Sequence, residues 1–291
     1  MAEEILMSKI SVYAGKRIIL TTKHSKSIAI APVFLNLLSA EIVELNTDTD
    51  KMGTFSGEIE RKGTALECAK VKCELGLSLT GLEYGLSSEG SFGPHPYIPF
   101  LPCDNEVLYF IDRKRDFHVH LSRFSTKTNF NMKSVISMEE LKEFSKKTLF
   151  PSHALIVRPD NKEIKSPIFK GINKEYMLEV SFKESMKHSA NGRVWVETDM
   201  RANMNPSRMI FIQELSQGLA QRLLTLCDKC ENPGWGKVSG EPGLVCSQCG
   251  LETELIKSET YGCTKCDHIE KKPPDHGLLK ADPRNCLYCN P

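Results

Sequence analysis

Four Cys-x-x-Cys pairs near the C-terminus constrain the folding of this chain more than any other feature of its sequence. Two thiolates at this spacing lie on one tight turn and bind a single zinc ion, and a second pair completes its tetrahedral coordination. The four pairs therefore predict two structural zinc ions, each with four sulfur ligands and no vacant position for a substrate. The predicted ligands are Cys227, Cys230, Cys246, Cys249, Cys263, Cys266, Cys286 and Cys289.

The spacing of these pairs does not say which of them share an ion. Pairing in sequence order, first with second and third with fourth, gives two tandem zinc ribbons in a module at 226–291, and this is the arrangement we predict. Interleaved pairing is the alternative. Zinc ribbons often bind nucleic acid or protein, although this module carries charges of both signs, which weakens an interpretation based on phosphate contacts.

The remaining cysteines and the start of the chain indicate a reducing compartment. Cys68, Cys73 and Cys103 lie outside the zinc pattern and are predicted to be small buried side chains. The N-terminus is acidic where a secretion signal would be basic, and apolar runs such as 28–38 are far too short to span a membrane. We therefore predict a cytoplasmic protein with no membrane partner. The net charge of +1 gives it no overall field toward nucleic acid.

Strand-like and helical segments alternate before residue 226, which predicts an α/β domain at 1–225 with a mixed sheet and flanking helices. Runs rich in β-branched or aromatic residues predict strands at 10–13, 17–22, 41–45, 107–112, 117–121, 154–158 and 193–198. Helices are predicted at 26–39, 64–77, 138–148, 173–187 and 206–226. The last helix has Asn205 as its N-cap and Pro206 at its first position.

The densest group of polar residues lies between Gly53 and Gly93 and has two interpretations. In the first, Thr64 and Glu67 form a capping box at the start of a helix, which by itself explains both residues. In the second, carboxylates supply the hard oxygen ligands that Mg²⁺ requires. The segment 21–26 joins a strand to a helix, and the amides of the helix N-terminus together with a lysine would bind a phosphate. The carboxylates concerned are Glu58, Glu60, Glu67 and Glu89.

Part of this region resembles the inosine/xanthosine triphosphate pyrophosphatases. Within 60–72, the residues that match the signature of that family in register are Glu60, Thr64, Glu67, Ala69 and Lys72. The segment 21–26 resembles the polar stretch that follows the first strand of those enzymes. Glu89, in Ser88-Glu89-Gly90, resembles the catalytic acidic residue that they carry in a glycine-flanked loop.

This resemblance implies a nucleoside triphosphate pyrophosphatase-like fold and a specific reaction. A nucleoside triphosphate would be cleaved to its monophosphate and pyrophosphate with Mg²⁺ or Mn²⁺. By analogy Lys26 would hold a phosphate and Glu67 would bind the metal. Glu89 would bind the metal and help to activate the attacking water, and Thr22 would contact the substrate.

A polar loop at 197–208 is a further predicted part of the site. Arg201 and Arg208 could clamp phosphates there, with Asp199 beside them. The alternative is that Asp199 and Arg201 form a surface ion pair and that Asn205 only caps a helix. His95 lies next to the glycine-rich segment 85–93 and is included as a predicted substrate contact.

The whole chain also resembles a bacterial protein family that ends in tandem zinc ribbons and has no assigned activity. The resemblance rests on Gly90 to Pro96, Glu197 to Asn203, Asn205 to Arg208 and the final cysteine pairs. Taken together, the sequence predicts a metal-dependent hydrolase of a nucleoside triphosphate or related phosphate compound, fused to a structural zinc module. The alternative is a non-enzymatic module that binds protein or nucleic acid on an inactive α/β scaffold.

Overall fold

A five-stranded mixed sheet forms the first part of the computed structural model, which describes residues 11–47, 63–160 and 166–291. The strands lie in the order β2-β1-β3-β4-β5, with β1 parallel to both of its neighbours and with β4 and β5 antiparallel. Their bounds are β1 (Arg17–Thr22), β2 (Glu41–Asn46), β3 (Tyr84–Pro94), β4 (Pro102–Asp112) and β5 (Phe117–Ser125).

Side chains alternate between the two faces of the sheet along each strand. Both faces carry apolar side chains, and helices cover both of them. One face carries Leu86, Leu108 and Phe110, which pack in one core with helix α1 (Ser27–Leu38) and with a later helix, Pro206–Leu224. The other face carries Val107 and Tyr109, which pack against helix α2 (Ala65–Thr80).

A second, antiparallel sheet with its own core follows along the chain. Its strands lie in the order β6-β9-β7-β8, and two helices pack against it. The strands are β6 (Met132–Val135), β7 (Leu155–Pro159), β8 (Phe169–Ile172) and β9 (Val194–Thr198). The helices are α3 (Met138–Lys147) and α4 (Glu175–Lys187), and the chain then returns to the first sheet through α5 (Pro206–Leu224).

The C-terminal module is a three-stranded antiparallel sheet flanked by the cysteine pairs. Its strands are β10 (Gly236–Pro242), β11 (Ile256–Gly262) and β12 (Ile269–Lys272). Polar contacts attach this module to the α/β part. Lys265 Nζ lies 3.0 Å from the carbonyl oxygen of Asp116, and Arg222 Nε donates to the carbonyl oxygen of Gly234 at 3.1 Å.

The mixed α/β architecture predicted from the sequence is confirmed, with local corrections. The predicted strand at 10–13 is wrong in its described part, where residues 11–15 form turns and Ala14 N bonds to Ser11 O. The glycine-rich segment that was expected to be a loop is the buried strand β3, and β6 and β8 were not predicted. Asn205 caps α5 as predicted, since its side chain accepts from the N–H of Arg208. In the described ranges, no helix has the length and apolar character needed to cross a bilayer.

Candidate functional site

The eight predicted cysteine ligands form two groups of four, each of which can hold one metal ion. One group contains Cys227, Cys230, Cys263 and Cys266, and the other contains Cys246, Cys249, Cys286 and Cys289. The first pair therefore shares a site with the third, and the second shares a site with the fourth. The sequential pairing that we predicted is wrong, and the interleaved alternative is the arrangement found.

The distances between sulfur atoms fit tetrahedral zinc. A tetrahedron with zinc–sulfur bonds of ~2.3 Å has edges of about 3.8 Å. Across the first site the Sγ atoms of Cys227 and Cys266 are 3.8 Å apart, and those of Cys230 and Cys263 are 3.5 Å apart. The second site has corresponding distances of 3.9 and 3.5 Å. These separations are far longer than the ~2.05 Å of a disulfide.

Backbone amides prepare individual cysteines to ionise, as zinc binding requires. The N–H groups of Cys249 and Gln248 point to the Cys246 sulfur and lower its pKa to about 7. Burial opposes the ionisation of Cys263, but the N–H groups of Cys266 and Lys265 outweigh it and lower the pKa of Cys263 to about 7. The residues present therefore fit two structural zinc ions.

A second site candidate is a cluster of mostly buried charged side chains beyond the end of β1, around the middle of β3 and the first half of β4, with members from both faces of the sheet. Its members are Lys26, Lys72, Glu89, Asp104, Glu106 and Arg208. Ligands of open α/β sheets bind outside the carboxyl ends of parallel strands, and this cluster occupies such a place. It contains three of the residues predicted from the sequence, namely Lys26, Glu89 and Arg208.

Lys26 lies at the start of α1 and is 4 % exposed. Its Nζ donates to the carbonyl oxygen of Ser88 at 3.1 Å and to the Ser88 hydroxyl at 3.0 Å. Burial and the nearby positive charge of Arg208 lower the pKa of Lys26 to about 8. The two residues before it, His24 and Ser25, have left-handed backbone angles (φ 71° and 56°), which are uncommon for residues other than glycine and frequent at functional loops.

The acidic members of the cluster are held by opposite charges. Glu89 pairs with Lys72 of α2, and Glu106 Oε1 accepts from Arg208 Nε at 2.5 Å. Burial, and then the negative charge of Glu106, raise the pKa of Asp104 to about 8. Within the described part of the chain, Asp104 Oδ1 and Glu106 Oε2 are buried without a hydrogen-bond partner. Two hard oxygen atoms are therefore available to a cation.

Glu67 does not join this cluster. It is fully exposed, and its Oε2 accepts from the backbone N–H of Thr64 at 2.7 Å, while its own N–H donates to the Thr64 hydroxyl. The capping-box interpretation of this residue is confirmed. Among the described residues, no group of three side chains with metal-binding geometry includes Glu67, Glu89, Asp104 or Glu106. Glu58 and Glu60 lie outside the described residues.

The other predicted contacts have local partners. Thr22 is buried at the end of β1 and donates to the carbonyl oxygen of Lys23. Arg201 forms an ion pair with Asp199, which also accepts from the N–H of Gly171. The two residues therefore pair as in the alternative interpretation, but Asp199 is buried and the pair is not a surface one. His95 lies in the hairpin beyond β3, where its Nδ1 accepts from the N–H of Tyr97.

Lys72, Asp104 and Glu106 were not among the predicted site residues. The sequence singles out Lys72 only as a match to the pyrophosphatase signature. Asp104 and Glu106 precede the apolar run that was predicted as a strand from Val107, but β4 begins at Pro102. A strand prediction that began at Pro102 would have placed both residues on the same face of β4 as Leu108, because side chains two positions apart share a face.

Comparison with known proteins identifies a family for this chain, and that family has no assigned activity. We found no match among curated proteins. The family described as a domain of unknown function, DUF6671, matches residues 72–291, which include β3, β4, α5 and the entire cysteine module. Since this match covers most of the chain, the protein belongs to the DUF6671 family.

Proposed function

We propose that the protein hydrolyses a nucleoside triphosphate or a related phosphate compound at the buried cluster, with a divalent cation, and that the zinc module is structural. The observation that carries this proposal is the grouping of three cations and three carboxylates, all buried except the partly exposed Lys72, around the middle of the first sheet. Burying charged groups costs several kcal/mol each, and replacing them with apolar residues is often neutral or stabilising. Such a cluster is therefore better explained by binding or catalysis than by folding.

The charge balance of the cluster favours an anionic ligand. Lys26, Lys72 and Arg208 carry three positive charges. At neutral pH the raised pKa keeps the Asp104 carboxyl largely protonated, so that two negative charges remain. The resulting excess of one positive charge, in a place shielded from water, would attract a phosphate group. Lys26 and Arg208 would hold the phosphates, as predicted from the sequence.

The cation in this proposal is Mg²⁺ or Mn²⁺. Mg²⁺ is commonly bound by one or two carboxylates together with substrate phosphates, so the free oxygens of Asp104 and Glu106 are a suitable donor set. Such an ion would neutralise phosphate charge and position the attacking water. Asp104 would give up its proton when the ion binds. Glu89, which pairs with Lys72 and contributes to the electrostatic field at Lys26, is the proposed proton acceptor for that water.

The likeness to nucleoside triphosphate pyrophosphatases supports the reaction class. It includes Lys26 after β1 and Lys72 on α2, and both belong to the cluster. Glu67, the metal ligand in that analogy, would be replaced by Asp104 and Glu106 of β4. The proposed site thus keeps the order of strands and helices of the analogy but takes two of its carboxylates from a later strand.

The test is the release of pyrophosphate and phosphate from a panel of nucleoside triphosphates with Mg²⁺ or Mn²⁺. We expect turnover by the zinc-loaded protein and a loss of at least about a hundredfold in kcat for Asp104→Asn and Glu89→Gln. Lys146→Gln, on the exposed face of α3, is the matched control and should keep full activity. Absence of turnover in folded, zinc-loaded protein would contradict the proposal and favour the non-enzymatic alternative.

A further inference from the structure

A cleft of about 810 Å³ lies between the edge strand β5 and the zinc module. Residues 118–123 of β5 line one side without interruption, and residues 237–240 of β10 line the other. Because consecutive residues of β5 contribute, the cleft follows the outer edge of the first sheet. Six residues of a strand extend over roughly 17 Å, so the cleft is elongated. None of the residues of the buried cluster lines it.

Positive side chains dominate this cleft. Arg123 and Arg222 line it, and neither forms a salt bridge with any residue in the described ranges. Arg222 Nε is held by the carbonyl oxygen of Gly234, which fixes the guanidinium without neutralising it. Lys237 also lines the cleft, but its charge is balanced by Glu259 at 2.5 Å. Asp275 is the one carboxylate among the lining residues, so the two arginines still leave the cleft with a positive excess. Two uncompensated guanidinium groups in a concave surface form a site for an anion.

Flat rings accompany the cations. His118 and His120 lie parallel to Tyr109, with ring centroids 5.5 and 6.1 Å away, so that the three rings form a stacked row across β4 and β5. Tyr261 of β11 lines the opposite side of the cleft, and Lys272 Nζ lies over one face of its ring, 4.8 Å from the centroid. Arg123 lies on the side of β5 that faces α5, and the two histidine rings lie on the other side, so the cleft has cations along one flank and aromatic rings along the other. A cleft with these two kinds of group is typical of proteins that bind single-stranded nucleic acid, whose phosphates and bases they contact.

We propose that this cleft binds single-stranded nucleic acid, with Arg123 and Arg222 contacting phosphates and with His118, His120 and Tyr261 facing the bases. This inference goes beyond the proposed hydrolase activity, because it concerns a surface formed jointly by the sheet edge and the zinc module. It also gives the module a role besides stability, since β10 and β11 form one wall of the site.

The test is fluorescence anisotropy of labelled 12-nucleotide single strands, RNA and DNA in separate titrations, with the zinc-loaded full chain. Two phosphate contacts predict a slope of log affinity against log salt of about −1.4, which is a loss of about sevenfold between 50 and 200 mM salt. In Arg123→Gln the slope should fall to about −0.7. Lys146→Gln, the matched control outside the cleft, should bind like the wild type.

Three results would overturn this proposal. The first is no binding at 50 mM salt by protein with both zinc ions in place. The second is a slope of log affinity against log salt that is unchanged in Arg123→Gln. The third is displacement of the labelled nucleic acid by poly-glutamate of the same charge as effectively as by unlabelled nucleic acid, which would indicate an acidic protein partner instead. Asp104→Asn separates the two proposals, because it should abolish hydrolysis while strand binding stays unchanged. Loss of strand binding in Asp104→Asn would place the strand at the buried cluster and contradict the cleft.

Discussion

Gly90 is the position where a single added methyl group should disturb the buried cluster most. It lies in β3 opposite Glu106. A Cβ at this position would lie 2.4 Å from Arg208 Nη2 and 2.6 Å from Glu106 Oε1. These atoms belong to an ion pair whose two side chains are both completely buried. Gly93, in the same strand, has no atom within 4 Å of its hypothetical Cβ and is therefore the matched control.

The two alanine variants should change the free energy of unfolding in opposite directions. Forcing a methyl group into a packed interior costs about 1–3 kcal/mol, and the cost rises to about 3–5 kcal/mol if the buried ion pair is broken. At Gly93 there is no clash, so alanine should stabilise the strand by about 0.5–1 kcal/mol through the lower entropy of the unfolded chain. If the ion pair shifts but survives, the variants should differ by about 1.5–4 kcal/mol.

Thermal unfolding followed by circular dichroism measures this difference. A change of 1 kcal/mol shifts Tm by about 2–4 °C for a domain of this size, so the two variants should melt at least about 3 °C apart. Zinc content must be equal in both samples, since metal loss would lower Tm independently. Equal Tm values for Gly90→Ala and Gly93→Ala would refute the close packing of Glu106 and Arg208 against β3.

Two further predictions concern protons and zinc. The pKa of Asp104 is higher in the folded than in the unfolded protein, so the native state holds more protons between about pH 4 and pH 8. The free energy of unfolding should therefore fall as pH rises through that interval, by at most ~1.4 kcal/mol per pH unit. Urea titrations at several pH values should show that Asp104→Asn weakens this trend, and parallel pH profiles for the two proteins would contradict the assignment. Interleaved pairing predicts that Cys230→Ser/Cys263→Ser loses one zinc ion per chain and that Cys230→Ser/Cys249→Ser loses both. Metal analysis by mass spectrometry would give the reverse result if the pairs bound zinc in sequence order.

Much of the α/β architecture could be predicted because local signals agree with the tertiary structure. The N-cap Asn205 followed by Pro206 marked the start of α5, and the apolar run 17–22 matches β1. The strand β3 was not predicted, because its glycines and serines are typical of a loop. In the structure, β4 pairs with β3 along its whole length and β1 pairs with its first four residues, and these hydrogen bonds override the low strand propensity of glycine.

The candidate sites were predictable to different degrees. The eight zinc ligands follow from spacing, but their pairing does not, because the folding of the β10–β11 hairpin decides which turns meet. Lys26, Glu89 and Arg208 were identified by residue type and order. Glu89 pairs with Lys72, and Arg208 pairs with Glu106. These partners depend on strand register and helix placement, which no local pattern in the sequence specifies.

The central claim is that the buried cluster receives the phosphates of a nucleotide. Isothermal titration of a non-hydrolysable nucleoside triphosphate analogue in the presence of Mg²⁺ tests it most directly, with wild type, Lys26→Gln and the control Lys146→Gln. Loss of one charged hydrogen bond costs about 1.5–3 kcal/mol, so Lys26→Gln should bind roughly ten to a hundred times more weakly, while the control binds like wild type. Equal affinities for wild type and Lys26→Gln, or no binding by either, would contradict the account.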